Sequence, residues 1–143
     1  MILKIIISVI CLYSLISSSY ASDDSIINPP NQVLNYSDGL MARTGLAEFI
    51  KQITPTTTSI DLFNNNITDA DLAAIAPHLP KSLTSLDLGC NKFSNKGIFT
   101  LKIHMPPNLV KLSLFRNNIN GISEQILKSR GFSHDKHNLW TKN

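Results

Sequence analysis

The stretches TTSIDLFNNNI (57–67), LTSLDLGCNKF (83–93) and LVKLSLFRNNI (109–119) are one pattern written three times at a 26-residue spacing. Ile60, Leu86 and Leu112 share a column, and so do Leu62, Leu88 and Leu114. Asn65, Asn91 and Asn117 form a third column, and Ile67, Phe93 and Ile119 a fourth. Each copy fits L-x-x-L-x-L-x-x-N-x-L, with one departure: Thr57 stands where the other copies have Leu83 and Leu109. Side chains alternate along a strand, so the two apolar residues of the L-x-L core lie on one face. The asparagine follows where the chain turns away. A short amide there bonds backbone groups that the turn leaves unpaired. Stacked copies should therefore build a structural ladder from Asn65, Asn91 and Asn117. A fixed period of this size means repeats stacked so that sequence order becomes spatial order.

Between the strands the chain reads as helix. In ITDADLAAIAPHLPKS, which follows Asn66, Thr68 or Asp69 can cap the start, and the acids of the first turn suit the helix dipole. Leu72, Ile75 and Leu79 share one helical face. Pro77 should distort or shorten the last turn, and Pro80 marks the exit. In the second copy Ile98, Leu101 and Met105 occupy the same columns, with Pro106 matching Pro80. Gly97 precedes them at a position suited to tight packing or a positive φ. Asn95 lies off the asparagine column, and its replacement by alanine is expected to be nearly silent.

These columns and the strand–loop–helix unit resemble the leucine-rich repeat family. The exit through Leu79-Pro80 and Met105-Pro106 is similar to its ribonuclease-inhibitor-like class, whose repeats usually run slightly longer. The resemblance implies an α/β fold: a short solenoid of about three to four repeats, with parallel strands on the concave face and helices on the convex face. It further implies a binding module, not an enzyme, with no cofactor. The likeness is strongest over 57–119 and extends weakly over 32–143.

Upstream, Leu34 and Tyr36 fall over Ile60 and Leu62, and Leu46, Phe49 and Ile53 over the helix columns, while Gly39 stands where Asn65 would be matched. Residues 32–56 therefore read as a degenerate N-terminal repeat or cap, since an end repeat has one side facing water. The repeats proper occupy 57–128. Residues 129–143 carry Phe132, Leu139 and Trp140 and are expected to close the open end as a C-terminal cap.

Residues 1–21 have a different character. Lys4 precedes an apolar run from Ile5 to Ile16, and Ser19-Tyr20-Ala21 has the small-x-small form that signal peptidases cut. This is the pattern of a secretory signal peptide cut after Ala21, with 22–31 as a flexible linker. The run is short for a membrane span, and no other stretch offers one, so no stable span is expected after cleavage. The expected location is secreted or periplasmic. Cys11 leaves with the signal, so Cys90 stands alone and no internal disulfide can form.

The net charge of +3 hides an asymmetry. Residues 22–91 hold three Lys/Arg against eight Asp/Glu, and residues 92–143 nine against two. A basic end can meet an acidic partner surface. Nucleic acid is disfavoured, because the basic residues are scattered without interleaved aromatics. No catalytic constellation stands out. No serine sits in a G-x-S-x-G elbow, the two glutamates Glu48 and Glu124 are far apart, and no phosphate loop or zinc spacing occurs. His134, Asp135 and His137 are close in sequence, but two histidines near a terminus are more often solvent-exposed or cap-forming than a metal pair. Asn35-Tyr-Ser37 and Asn66-Ile-Thr68 match glycosylation sequons, which matter only in a eukaryotic host.

What remains is a surface. On each strand the residues between the core positions face outward: Ser59, Asp61 and Phe63; Ser85, Asp87 and Gly89; Lys111, Ser113 and Phe115. Phe63 and Phe115 flank Gly89 in one column, which would leave a notch between two rings, with Arg116 adjacent. Aromatics and arginine are favoured at binding hot spots. The expected partner-binding set is Asp61, Phe63, Asp87, Gly89, Lys111, Ser113, Phe115 and Arg116, recognising an unknown protein. The competing expectation is a structural or envelope protein that associates with its own kind. The chain is similar to short secreted bacterial leucine-rich repeat proteins, and its Ile, Asn, Lys and Ser bias fits an AT-rich genome.

Overall fold

The computed structural model describes residues 31–137 and 139–142. The expected signal peptide, and the expected linker up to residue 30, lie outside the described residues. Four strands, β1 (Gln32–Asn35), β2 (Thr57–Asp61), β3 (Ser85–Asp87) and β4 (Lys111–Ser113), run parallel and side by side. Their register follows the sequence period: Leu34 pairs with Ile60, Ile60 with Leu86, and Leu86 with Leu112. β1 joins through an irregularity at Gln32/Val33. A slip of one residue would turn every leucine to the wrong face, so the core columns and the register fix one another.

Helices α1 (Leu40–Thr44), α2 (Leu46–Gln52), α3 (Asp69–Ile75), α4 (Asn95–His104) and α5 (Gly121–Lys128) carry the chain between strands. In the first segment Gly45, at φ 87°, breaks the helix in two, and Gly39 and Gly131 are the other glycines at positive φ. Pro77 ends α3 early: the chain continues as a 3-10 turn over Ala76–His78, which dispenses with the bond proline cannot donate. The apolar columns meet in one core. Leu62, Ile67, Leu72, Leu83, Leu88, Phe93, Ile98 and Leu101 are fully buried. Thr57, in the leucine column, is buried as well. Its hydroxyl donates to Gln32 Oε1 at 2.5 Å and accepts from the Thr54 N–H at 3.0 Å, so the polar atom is not orphaned.

The strands are not all parallel. After α5 the chain turns at Gly131 and forms β5 (Phe132–His134) and β6 (Leu139–Lys142), an antiparallel pair, with β6 also antiparallel to β4. A strand returned by a short turn has no room for the crossover that parallel pairing needs. Among the described residues the sheet order is β1-β2-β3-β4-β6-β5. Phe132 and Trp140 enter the core, but Leu139 does not: alternation along β6 sends it to the opposite face from Trp140, where it is 39% exposed.

The asparagine column threads between copies. Asn91 Oδ1 accepts from the N–H groups of Asn65 at 3.0 Å and Ile67 at 2.9 Å. Its amide donates to the carbonyls of Leu62, Leu88 and Gly89. Asn65 makes the equivalent bonds to Met41 N–H, Tyr36 O and Phe63 O. Asn117 completes only half the pattern: its amide donates to Leu88 O and Leu114 O, while its Oδ1 is buried without a partner.

A second ladder joins the helix starts. Thr68 caps α3 in a reciprocal bond with Asp71, which frees Asp69 to reach the next copy. Asp69 accepts from Ser94 N–H (2.8 Å), Ser94 Oγ (2.7 Å) and Gly97 N–H (2.9 Å). Gly97 is required by close approach, not by its φ: a Cβ there would lie 2.8 Å from Asp69 Oδ1 and 3.0 Å from Leu72 Cδ2. One period on, Asn95 Oδ1 accepts from Asn120 N–H at 3.0 Å and Ser123 Oγ at 2.5 Å. Asn95 is therefore not the neutral position that its place off the asparagine column implied, because it satisfies the fully buried Ser123.

Burial alone would raise the Asp69 carboxyl. The Ser94 N–H and hydroxyl, the Gly97 N–H and the nearby Lys96 charge more than offset it and hold the pKa below the ordinary carboxylate value. A depressed folded pKa contributes stability above the unfolded value, lost as pH falls through the folded one. The melting-temperature gap between wild type and Asp69→Asn should stay constant from neutral pH to about 5 and narrow below about 4. A gap independent of pH would show that the charge contributes nothing.

Candidate functional site

The outward positions of β2, β3 and β4 and their following turns form one face. Asp61 and Asp87 each accept from the backbone two residues on, Asp61 from Phe63 N–H at 2.9 Å and Asp87 from Gly89 N–H at 2.8 Å. These bonds fix the turn that follows each of the two strands. Asn35 does the same for Ser37 at 3.1 Å. In the last copy the position holds Ser113, which is buried against β6, where it pairs with Leu139. Ser113 is thus largely covered, while Lys111 stays exposed.

No open notch separates the rings. Phe63 and Phe115 are half-buried with centroids 5.8 Å apart and planes at 31°, closing over Gly89. An added Cβ on Gly89 would lie 2.6 Å from the Phe115 ring. The missing side chain lets the rings meet, so the pair forms a continuous aromatic ledge, not a slot.

The turns carry a further period that the apolar columns conceal. Asp38, Asn64, Cys90 and Arg116, each 26 residues apart, all have φ between 53° and 56°. Aspartate and asparagine suit this left-handed region, but cysteine and arginine are strained there. Cys90 is a half-buried free thiol.

The turn between β5 and β6 adds residues that sequence spacing did not assign. Asp135 Oδ1 accepts from His137 N–H at 2.8 Å and Leu139 N–H at 3.1 Å, which hold its carboxyl below the usual carboxylate range and pin the turn. Lys136, His137 and Leu139 then form one wall of a shallow cavity of about 660 Å³. Asp87, Ser113, Phe115 and Arg116 form the other. The sequence signal was present in FSH and LWTK flanking a short polar run, the pattern of a hairpin.

The clustered histidines do not converge. His137 faces this cavity, whereas His134 packs on Trp140, with ring centroids 4.4 Å apart, and meets Glu124 at 3.3 Å. Bonds to the Asp135 carbonyl and to Glu124 raise the His134 pKa. Among the described residues no group of three or more His, Cys, Asp or Glu is placed to hold a metal ion.

The Leucine Rich repeat family model matches residues 58–76 and 80–102, which span β2, α3, β3 and most of α4. These are leucine-rich repeats. No curated protein matches the chain. Leucine-rich repeats generally mediate protein–protein interaction and are in general a binding fold, not a catalytic one. Among the described residues no helix is long and apolar enough to cross a membrane.

Proposed function

We propose that this chain is an exported protein-binding module. In this reading its leucine-rich repeats form a short solenoid of the ribonuclease-inhibitor-like kind, closed by terminal segments at 32–56 and 129–143. It recognises a partner protein through the outward, concave side of β2–β4. The Phe63–Phe115 ledge over Gly89 carries the reading: Asp61 pre-forms the turn that presents Phe63, Asp87 that of Gly89 beneath the rings, and a half-buried aromatic pair loses little entropy on binding. The charged-start, apolar, small-x-small pattern of residues 1–21 supports export to the periplasm or beyond.

The test captures a partner with the chain and titrates it against variants. Phe115→Ala should weaken binding by about 2 kcal/mol or more, as removal of a hot-spot aromatic does. Lys102→Ala, on α4, should leave affinity unchanged. The reverse outcome places the site on the helical side. A second reading, self-association, draws on Phe99 and Ile103, one turn apart on α4 and both exposed. A mass that rises with concentration in light scattering would favour it.

A further inference from the structure

Resting on the concave-side reading, we propose that the cavity at the C-terminal end of that face takes a carboxylate flanked by an apolar side chain, on an acidic peptide segment of the partner. Three observations point there independently. The first is charge. Arg116 and Lys136 line the cavity and make no side-chain hydrogen bond or ion pair among the described residues. The one acid in the lining, Asp87, already has an oxygen committed to Gly89 N–H. The cavity also lies in the half of the chain where nine basic residues face two acidic ones. An anionic group is therefore the complementary ligand.

The second is strain. Arg116 occupies the left-handed column at φ 53°, where Asp38 and Asn64 are at ease and an arginine is not. The turn of each copy imposes that conformation, and Cys90 shares it, but of the two only Arg116 lines the cavity, and its side chain bonds no other described residue. A strained residue whose side chain faces a cavity is the pattern of a functional position. A guanidinium there offers the planar, bidentate geometry that matches a carboxylate. The third is the apolar flank. The Phe115 ring and the partly exposed Leu139 stand beside the two cations, so the ligand must bring an apolar side chain next to its charge. Asp135 fixes the turn that supplies Lys136 and Leu139, which makes this end of the face preorganised.

The test uses the full chain and four probes: a capped peptide with two glutamates around a phenylalanine; its glutamine counterpart; the glutamine peptide ending in phenylalanine with a free C-terminus; and inorganic phosphate. The acidic peptide should bind at least about tenfold more tightly than the capped glutamine peptide. Binding of the third peptide at the acidic peptide's strength would identify a C-terminal carboxylate as the source, and its absence a side-chain one. Arg116→Asn is the decisive variant, because asparagine suits the left-handed backbone. It should weaken the acidic peptide at least about tenfold while the melting temperature holds or rises. A purely structural arginine would give the opposite, a lowered melting temperature and unchanged affinity. Equal binding of the capped glutamate and glutamine peptides, or displacement by phosphate at peptide-like concentrations, overturns the proposal. If Arg116→Asn leaves the captured partner's affinity intact while Phe115→Ala destroys it, the carboxylate falls and the concave site stands. If neither variant affects the partner, both fall.

Discussion

Leu88→Ala is expected to lower the stability of the fold by about 2–5 kcal/mol, a large share of what a domain of this size possesses. Leu88 is fully buried in the central copy, directly after β3, and its N–H bonds the Ser113 carbonyl at 3.0 Å. Its column neighbours Leu62 and Leu114 are also fully buried, one on each side. A cavity opened there lies between two stacked copies and cannot collapse without disturbing the register on both sides. Ile103→Ala, on an exposed position of α4, should change stability by no more than about 0.5 kcal/mol. Urea unfolding of the two variants decides the point, and equal midpoints would mean that the leucine column does not hold the copies together.

Asn91→Ala should be nearly as severe, at about 3 kcal/mol. It strands two buried N–H groups, those of Asn65 and Ile67, each worth about 1–3 kcal/mol when unsatisfied, and alanine fills none of the space. Asn117→Ala should cost less, because Asn117 accepts no bond through its Oδ1 and strands only carbonyls, which keep a second chance of a partner. The exposed Asn118→Ala should be close to neutral. The ranking is the discriminating result. A loss at Asn117 equal to that at Asn91 would show that the amide's acceptor oxygen is not what joins the copies.

The parallel register was legible because four columns repeated at a constant spacing, and a period-2 strand with one buried face admits no slip. Thr57 looked like a flaw in the leucine column. Gln32 and Thr54 satisfy it, but those contacts come from the preceding copy and are invisible to spacing. The same holds for Asn95. Its value depends on which residues face one another at successive helix starts, and the sequence period gives the copy but not the partner atom. The antiparallel close of the sheet was missed because a single period has no copy to compare with. The expectation that Leu139 and Trp140 both close the end overlooked that neighbours on a strand face opposite ways, so only Trp140 enters the core.

At the candidate site, the aromatic column was legible and its shape was not. Two rings flanking a glycine can leave a gap or close over it, and here the absent Cβ allows closure. The left-handed column was half legible. Asp38 and Asn64 are residues that favour such a turn, but Cys90 and Arg116 give no local sign of it. Lys136 and His137 reach the face only because β6 pairs with β4. That long-range pairing is why spacing alone left them out.

Hydrogen–deuterium exchange of the chain with and without a captured partner tests the central claim most directly. Protection on binding should concentrate in the turns after β2, β3 and β4, around Phe63, Gly89 and Phe115, and in the turn carrying Lys136 and His137, with α3 and α4 unchanged. Protection confined to α4 and α5, leaving those turns unaltered, would contradict it.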